Sequence, residues 1–252
     1  LNDTLRTLMN HRSYRQYSQR PVEDSVLQTI IEAAQAAPSW INGQHTTVIS
    51  VRDEERKRRL SELSGGQAHV AAAPVFLVFC MDFYRAKKAG ELEGIAFEAE
   101  RDVDALLTGA VDVGIAMEAA ITAAESLGLG IIPIGGVRRN SAGVIELLKL
   151  PKYVFPVVGL CLGYPGTELP KQPRLPLASV WHQEAYDAEA AISGFRAMNE
   201  ANRSLLRAQG AEEKDWTARV ASFFAANPEY GDAKTTLPAQ GYTCGNLKKG
   251  QE

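Results

Sequence analysis

The chain has 252 residues, 45% of them hydrophobic, which is enough to bury a substantial core in one large domain or two small ones. Its 27 basic and 30 acidic residues leave a formal net charge of -3 and are mixed along the sequence, so no global field draws it to nucleic acid or anionic lipid. Cys80, Cys161 and Cys244 are far apart, odd in number and without CxxC or Cys/His metal spacing, which reads as reduced core thiols of a cytoplasmic protein; no apolar run is taken to approach a membrane span, and the polar N-terminal residues 1–10 do not resemble an export signal.

In chain order, Asn2 and Asp3 can cap a short helix through Met9, and after a basic run a second helix begins near Pro21-Val22-Glu23-Asp24. Its apolar positions Val26, Leu27, Ile30, Ile31 and Ala34 recur at three- and four-residue spacing, and Pro38 ends it. Residues 47–51 form a strand by β-branched content, and residues 53–63 return to helical spacing before Gly65-Gly66 stops them. Residues 74–81 are a continuous apolar run of strand length, which predicts a central strand buried on both faces. Residues 96–127 are alanine-rich with apolar residues in helical register, predicting the longest helix and a core one. Two further strands are expected at 130–134 and 154–162, the latter at a sheet edge or with an irregular start because of Pro156, with a short helix at 144–148 between them. Beyond Tyr164 come a proline-rich crossing at 165–176, helical segments near 184–209 and 216–225, and a Gly/Pro/Asn-rich tail that cannot make a core alone and must lie across something else. Four or five strands without regular strand-helix alternation favour an α+β sandwich. It reads as a single domain, a core over about 1–186 with an embracing C-terminal extension over about 187–252.

Several common catalytic signatures are missing: GxGxxG after a strand, GxxxxGK[ST], HExxH and GxSxG. His11, His45, His69 and His182 lack ligand spacing, so no metal site is expected. Four polar clusters remain. His11-Arg12-Ser13-Tyr14-Arg15 suits a phosphate, since guanidinium offers bidentate charge-assisted hydrogen bonds and a hydroxyl completes the oxygen shell. The same run also reads as a solvated basic turn. Ser39, Asn42 and Gln44 could read the edge of a planar heterocycle, or be ordinary loop residues. Gly135-Gly136 after a strand lets backbone approach a flat ligand, or simply makes a turn. Lys171-Gln172-Pro173-Arg174 holds two cations in a stiff segment.

Taken in order, His-Arg-Ser-x-Arg, Pro-Ser-x-x-Asn-x-Gln, Gly-Gly after the long helix, and Lys-x-x-Arg-Leu-Pro resemble the nitroreductase family over residues 4–186. Within it the chain is similar to the oxygen-insensitive nitroreductase and NADPH-dependent flavin reductase branch, in which the first motif has this spelling. The resemblance implies a mostly antiparallel sheet flanked by helices and an intertwined homodimer with non-covalent FMN at sites built from both subunits. By motif match, His11, Arg12, Ser13 and Arg15 would contact phosphate and ring, with Arg15 placed to stabilise the reduced flavin. Gln67 would hydrogen-bond the flavin, Pro133, Ile134, Gly135 and Gly136 would lie against the ring, and Lys171 and Arg174 would reach ring and phosphate. Ser39, Asn42 and Gln44 would come from the partner subunit. Gln172 lengthens the branch's usual Lys-Pro-Arg by one residue.

The implied activity is a ping-pong transfer of electrons from NADPH or NADH to nitroaromatics, quinones or similar small acceptors. The flavin carries the chemistry and no side chain acts as nucleophile or general acid. Before Trp216, where NADPH-preferring relatives carry a basic patch, the sequence reads Ala211-Glu212-Glu213-Lys214-Asp215; Arg203 and Arg207 are the nearby candidates for a 2′-phosphate, and the choice between NADH and NADPH stays open. Alternatives are a flavin reductase supplying reduced FMN, a non-catalytic flavin-binding protein, and a dehalogenase-like relative, the last disfavoured by the first motif. No nucleic-acid or membrane partner is expected.

Overall fold

The computed structural model describes residues 1–246. Its contacts divide the chain into two units, one formed by Leu1–Leu169 together with the chain from Gly231 onward, the other by Pro170–Tyr230. The division falls earlier than residue 187, and the tail returns to the first unit.

The first unit runs α1 (Asp3–Met9), α2 (Asp24–Gln35), β1 (Thr46–Val51), α3 (Glu54–Leu63), α4 (Ala68–Ala72), β2 (Val75–Asp82), α5 (Tyr84–Glu93), α6 (Val103–Ser126), β3 (Gly130–Ile134), α7 (Ser141–Leu148) and β4 (Val154–Gly163). The second carries α8 (Ala188–Ser193), α9 (Phe195–Ala208) and α10 (Trp216–Ala226); α11 (Ala233–Ala239) belongs to the first unit again. Among the described residues the sheet has four strands in the order β1-β2-β4-β3, every neighbouring pair antiparallel. The fold is α+β.

The unbroken apolar run of β2 follows from cover on both faces. Val75, Leu77, Phe79 and Met81 face one core with α2 and α6, while Phe76, Val78 and Cys80 face a second with α3 and α7; this is the two-residue alternation of a pleated strand with neither side wet. Cys80 and Cys161 lie in these cores, where burial pushes both thiols up to about 12, and all three cysteines are free.

The long helix starts later than residue 96. Asp102 caps α6 by accepting from the Asp104 N–H, after a 3-10 turn at Ala99–Arg101, so residues 96–102 lie outside it. At 24 residues α6 is long and apolar enough in composition to cross a membrane, against the expectation that no apolar run approaches a span; its Val113, Ala116 and Ala120 face is buried in the protein core. Gly109 lets β2 come close: a Cβ there would sit 2.4 Å from Met81. Helices α4 and α5 were not foreseen.

Strand β4 lies inside the sheet, between β2 and β3, so the edge position expected from Pro156 is corrected. The irregularity is a bulge: Phe79 pairs with Val158 and Cys80 with Pro156, leaving Val157 extra. The proline at a sheet edge is Pro133, exposed on β3.

The tail lies across the first unit. Asp232 accepts from the Ser141 and Ala142 N–H groups at the start of α7 and from the Ser141 hydroxyl. Tyr242 is buried and donates to the Tyr153 carbonyl at 2.7 Å.

Candidate functional site

Residues 11–17 dock along the outer edge of β3. Ser13 forms a parallel bridge with Ile131, the Tyr14 N–H donates to the Ile131 carbonyl at 2.8 Å, and Tyr17 bridges Pro165. Gly130 makes this approach possible, because a Cβ there would lie 2.7 Å from the Tyr14 ring. The first motif therefore runs beside the strand that ends in Pro133 and Ile134 and turns through Gly135–Arg138. Gln67 closes on the same turn: a Cβ on Gly136 would meet Gln67 Nε2 at 2.3 Å and the Ser64 carbonyl at 2.4 Å, so only glycine fits. Gln67 donates to that carbonyl at 2.8 Å.

The polar groups gathered here divide by their commitments. His11 Nδ1 lies 2.7 Å from Glu125 Oε1. The Arg12 guanidinium donates to the Asn10 and Leu169 carbonyls and lies 3.8 Å from Glu168, so it ties its loop to residues 168–169. The Ser13 hydroxyl and the exposed Arg15 guanidinium make no hydrogen bond or ion pair among the described residues.

His69, two residues beyond Gln67, was not singled out from sequence. Burial, and after it the charge of Arg15, push its imidazole below the ordinary range, favouring the neutral form. Its Nε2 and the Ser64 hydroxyl are buried without a partner among the described residues. A lone histidine after Gly-Gly-Gln offers no periodicity or ligand spacing; only the fold reveals its place beside Arg15.

Ser39, Asn42 and Gln44 lie elsewhere. Their loop is anchored to the middle of α6, where Asp112 accepts from the Trp40 N–H at 3.0 Å and pairs with His45 Nδ1 at 2.9 Å. Ser39 Oγ accepts from the Gln44 N–H at 3.0 Å. Ile41, Asn42 and Gln44 all have positive φ, at 50°, 55° and 53°, and Trp40 and Ile41 stand exposed. A cleft of about 500 Å³ opens beside this loop, lined by Pro38, Ser39, Gln44, Thr47 and Arg85 among others. His11 is tied to Glu125 and Trp40 to Asp112, thirteen residues apart on one helix, which sets the two anchor points about 20 Å apart at 1.5 Å per residue. One chain does not bring its first and second clusters together.

In the second unit, the Arg174 guanidinium donates to the Gln172 and Pro173 carbonyls, and Lys171 is exposed. Arg203 pairs with Glu200 at 2.8 Å and with Asp215, while Arg207 holds Glu213 through two bonds of 2.7 and 2.9 Å. A groove of about 730 Å³ between α9 and α10 is lined by Phe195, Asn199, Arg203, Trp216 and Val220 among others.

The sequence profile of the nitroreductase family matches residues 8–164, and that of the nitroreductase family C-terminal domain matches residues 172–245. The chain belongs to the nitroreductase family. Among its relatives, an FMN reductase [NAD(P)H] of Bacillus subtilis (strain 168) is 46% identical over 246 residues, 96% of this chain and 98% of the relative. An oxygen-insensitive NADPH nitroreductase of Salmonella typhimurium is 42% identical over 187 residues, 74% of this chain and 75% of the relative. The solved structure of NfrA2 from B. megaterium superposes with a TM-score of 0.92 at 45% identity, covering 96% of this chain and 98% of that one.

Of the nitroreductase motifs anticipated from sequence, the first, the glycine turn and Gln67 converge in the first unit, joined by His69 and Ser64. The boundary between the family's two profiles, residues 164–172, brackets the division between the two structural units at Leu169 and Pro170.

Proposed function

We propose that this nitroreductase holds FMN along the outer edge of β3 and uses it to pass electrons from NAD(P)H to a small oxidised acceptor in a ping-pong cycle. The observation that carries the reading is the pairing of Ser13 with Ile131, which sets cationic and hydroxyl groups beside the Pro133–Gly136 turn and Gln67. The donor set fits the cofactor. At one end the Ser13 hydroxyl is uncommitted, which suits a phosphate; at the other, Gln67, the uncommitted Arg15 and the partnerless His69 and Ser64 that lie near it suit the edge of a heterocycle.

As a member of this family the chain is an NAD(P)H-dependent flavin oxidoreductase with FMN as cofactor. Bound FMN supplies the redox chemistry, accepting a hydride from the reduced nicotinamide and returning two electrons to an acceptor. The side chains bind and orient. Arg15, exposed and without a carboxylate, offers positive charge where reduction accumulates negative charge, and neutral His69 adds no competing cation. At Gly136 the space a Cβ would take is filled by Gln67 and the Ser64 carbonyl, which holds Gln67 against the turn.

The working unit is a homodimer. The distance of about 20 Å between the anchors of the first and second clusters leaves Ser39, Asn42 and Gln44 to serve a partner's site, as the family resemblance implies. An apolar stripe on α6, Leu107, Val111 and Ile115, is exposed at helical spacing and supplies a face for that partner. Free cysteines and the need for reduced nicotinamide suit a cytoplasmic setting.

Anaerobic titration of the purified protein tests the reading. Flavin absorbance is expected to bleach with NADPH or NADH and to recover on adding a nitroaromatic; protein that neither carries nor binds FMN would overturn it. A second reading, release of electrons to free FMN, is favoured by the relative that is 46% identical and named an FMN reductase. Comparing turnover with free FMN and with a nitroaromatic separates the two.

A further inference from the structure

Glu125 sits in the last turn of α6, where the helix dipole disfavours a carboxylate, and its side chain is only 12% exposed. Such a placement costs stability unless a cation or donor answers it. The answer is His11, whose Nδ1 lies 2.7 Å from Glu125 Oε1, with no other side-chain partner for either among the described residues. The bond is not local, since the two residues are 114 apart in sequence and the ring belongs to the loop that delivers Ser13 and Arg15 to β3.

Resting on the FMN reading above, we propose that Glu125 is a positioning residue for the phosphate end of the site. By accepting the Nδ1–H it fixes the ring, and with both ring nitrogens protonated the Nε2–H is the donor left for an anion beside Ser13. The arrangement also has a cost that makes it testable. Glu125 is a carboxylate near a phosphate, tolerable only while His11 faces it; removing His11 alone leaves a nearly buried acid opposing the ligand. The two residues should therefore couple non-additively.

FMN and riboflavin differ only in the phosphate, so their binding to apoprotein, followed by quenching of flavin fluorescence, reads this end of the site without reference to turnover. Glu125→Leu is expected to weaken FMN about tenfold and riboflavin hardly at all. Glu125→Gln, whose carbonyl can still accept from Nδ1, should restore most of that loss. His11→Ala should weaken FMN more than the double variant His11→Ala/Glu125→Gln, the second change recovering affinity. Equal effects of Glu125→Leu on the two flavins, no effect on either, or additive losses in the double variant would overturn the proposal. Ser13→Ala keeps the outcomes apart. If it too fails to distinguish FMN from riboflavin, the phosphate reading itself falls; if it distinguishes them while the Glu125 variants do not, only the positioning role falls.

Discussion

The carboxylate of Asp112, on α6, and the ring of His45, just before β1, lie 2.9 Å apart, both almost fully buried, and bracket a loop whose backbone departs from ordinary geometry. The other carboxylate oxygen accepts from the Trp40 N–H, so one acid holds both ends of the loop. Asp112→Leu removes both bonds and leaves two donors unsatisfied, each costing about 1–3 kcal/mol. Urea unfolding is expected to show a loss of a few kcal/mol, on the order of that sum, and Asp112→Asn, which keeps one acceptor, a smaller one. Because the loop carries Ser39 and Gln44, the leucine variant should also raise the acceptor KM more than it lowers kcat. Unchanged stability would mean that the loop is held by something other than Asp112.

Ile41 tests the strain directly. A β-branched residue at φ 50° costs about 1–2 kcal/mol relative to glycine, and the side chain is 74% exposed, so little burial offsets it. Ile41→Gly is therefore expected to leave thermal stability unchanged or slightly higher, against the usual effect of adding glycine. A clear drop would show that the exposed side chain is covered in the assembled protein.

Arg15 and His69 are electrically linked. Burial is the larger cause of the low pKa of His69 and the Arg15 charge the second, so Arg15→Met should raise that pKa without restoring the ordinary value. The sign for stability follows: a histidine whose folded pKa is depressed binds a proton more weakly than in the unfolded chain, so stability falls as pH drops below the ordinary imidazole range towards the depressed value. In Arg15→Met the fall should be shallower. Titration of the His69 ring by NMR, with thermal melts over the same pH range, checks both.

How far the site could be read from sequence depended on whether a residue's role is local. The cap of α1, Asn2, was visible because a cap acts within three residues, whereas Asp53, read as part of the helix, caps α3 from outside it. The doubly buried β2 was visible because its cover shows as an unbroken apolar run. Pro156 left two readings open, an edge strand or an irregular start, and the bulge beside it takes the second, placing a proline inside the sheet. The start of α6 was missed because alanine-rich sequence before Asp102 has the same propensity as the helix itself. His11, Ser13 and Gly136 were found in separate clusters and Gln67 only through the family resemblance, and their convergence depends on a strand bridge over more than a hundred residues. Glu125, His69 and Asp112 have no motif at all; each acts only through what the fold brings against it.

Asp232 ties the returning tail to α7. Burial alone would raise its pKa, yet the hydrogen bonds from the Ser141 hydroxyl and the Ala142 and Ser141 N–H groups outweigh it and hold the carboxyl below the usual range. A depressed carboxyl contributes stability that is complete above the ordinary carboxylate range and lost as pH falls through the lowered value. Asp232→Ala removes a helix-capping acceptor and is expected to cost about 1 kcal/mol at neutral pH. The difference from the parent in chemical denaturation should shrink on acidification; a constant difference would mean that the charge contributes nothing and only packing is lost.

Nucleotide preference depends on the charges around Arg203 and Arg207. Both guanidinium groups are already answered, Arg203 by Glu200 and Asp215, Arg207 by both oxygens of Glu213. A 2′-phosphate approaching them must compete with these acids, so the patch offers NADPH little advantage over NADH, and kcat/KM for the two should lie within about a factor of ten. Removing the competitors reverses the balance. Glu213→Gln with Asp215→Asn leaves both arginines in place but without those acids, and should raise the NADPH to NADH ratio by about fivefold, an increase that fades in high salt because the groups reach solvent. Arg203→Gln and Arg207→Gln in that background should return the ratio to its starting value. If the acidic substitutions leave the ratio unchanged at low salt, the 2′-phosphate does not meet this patch.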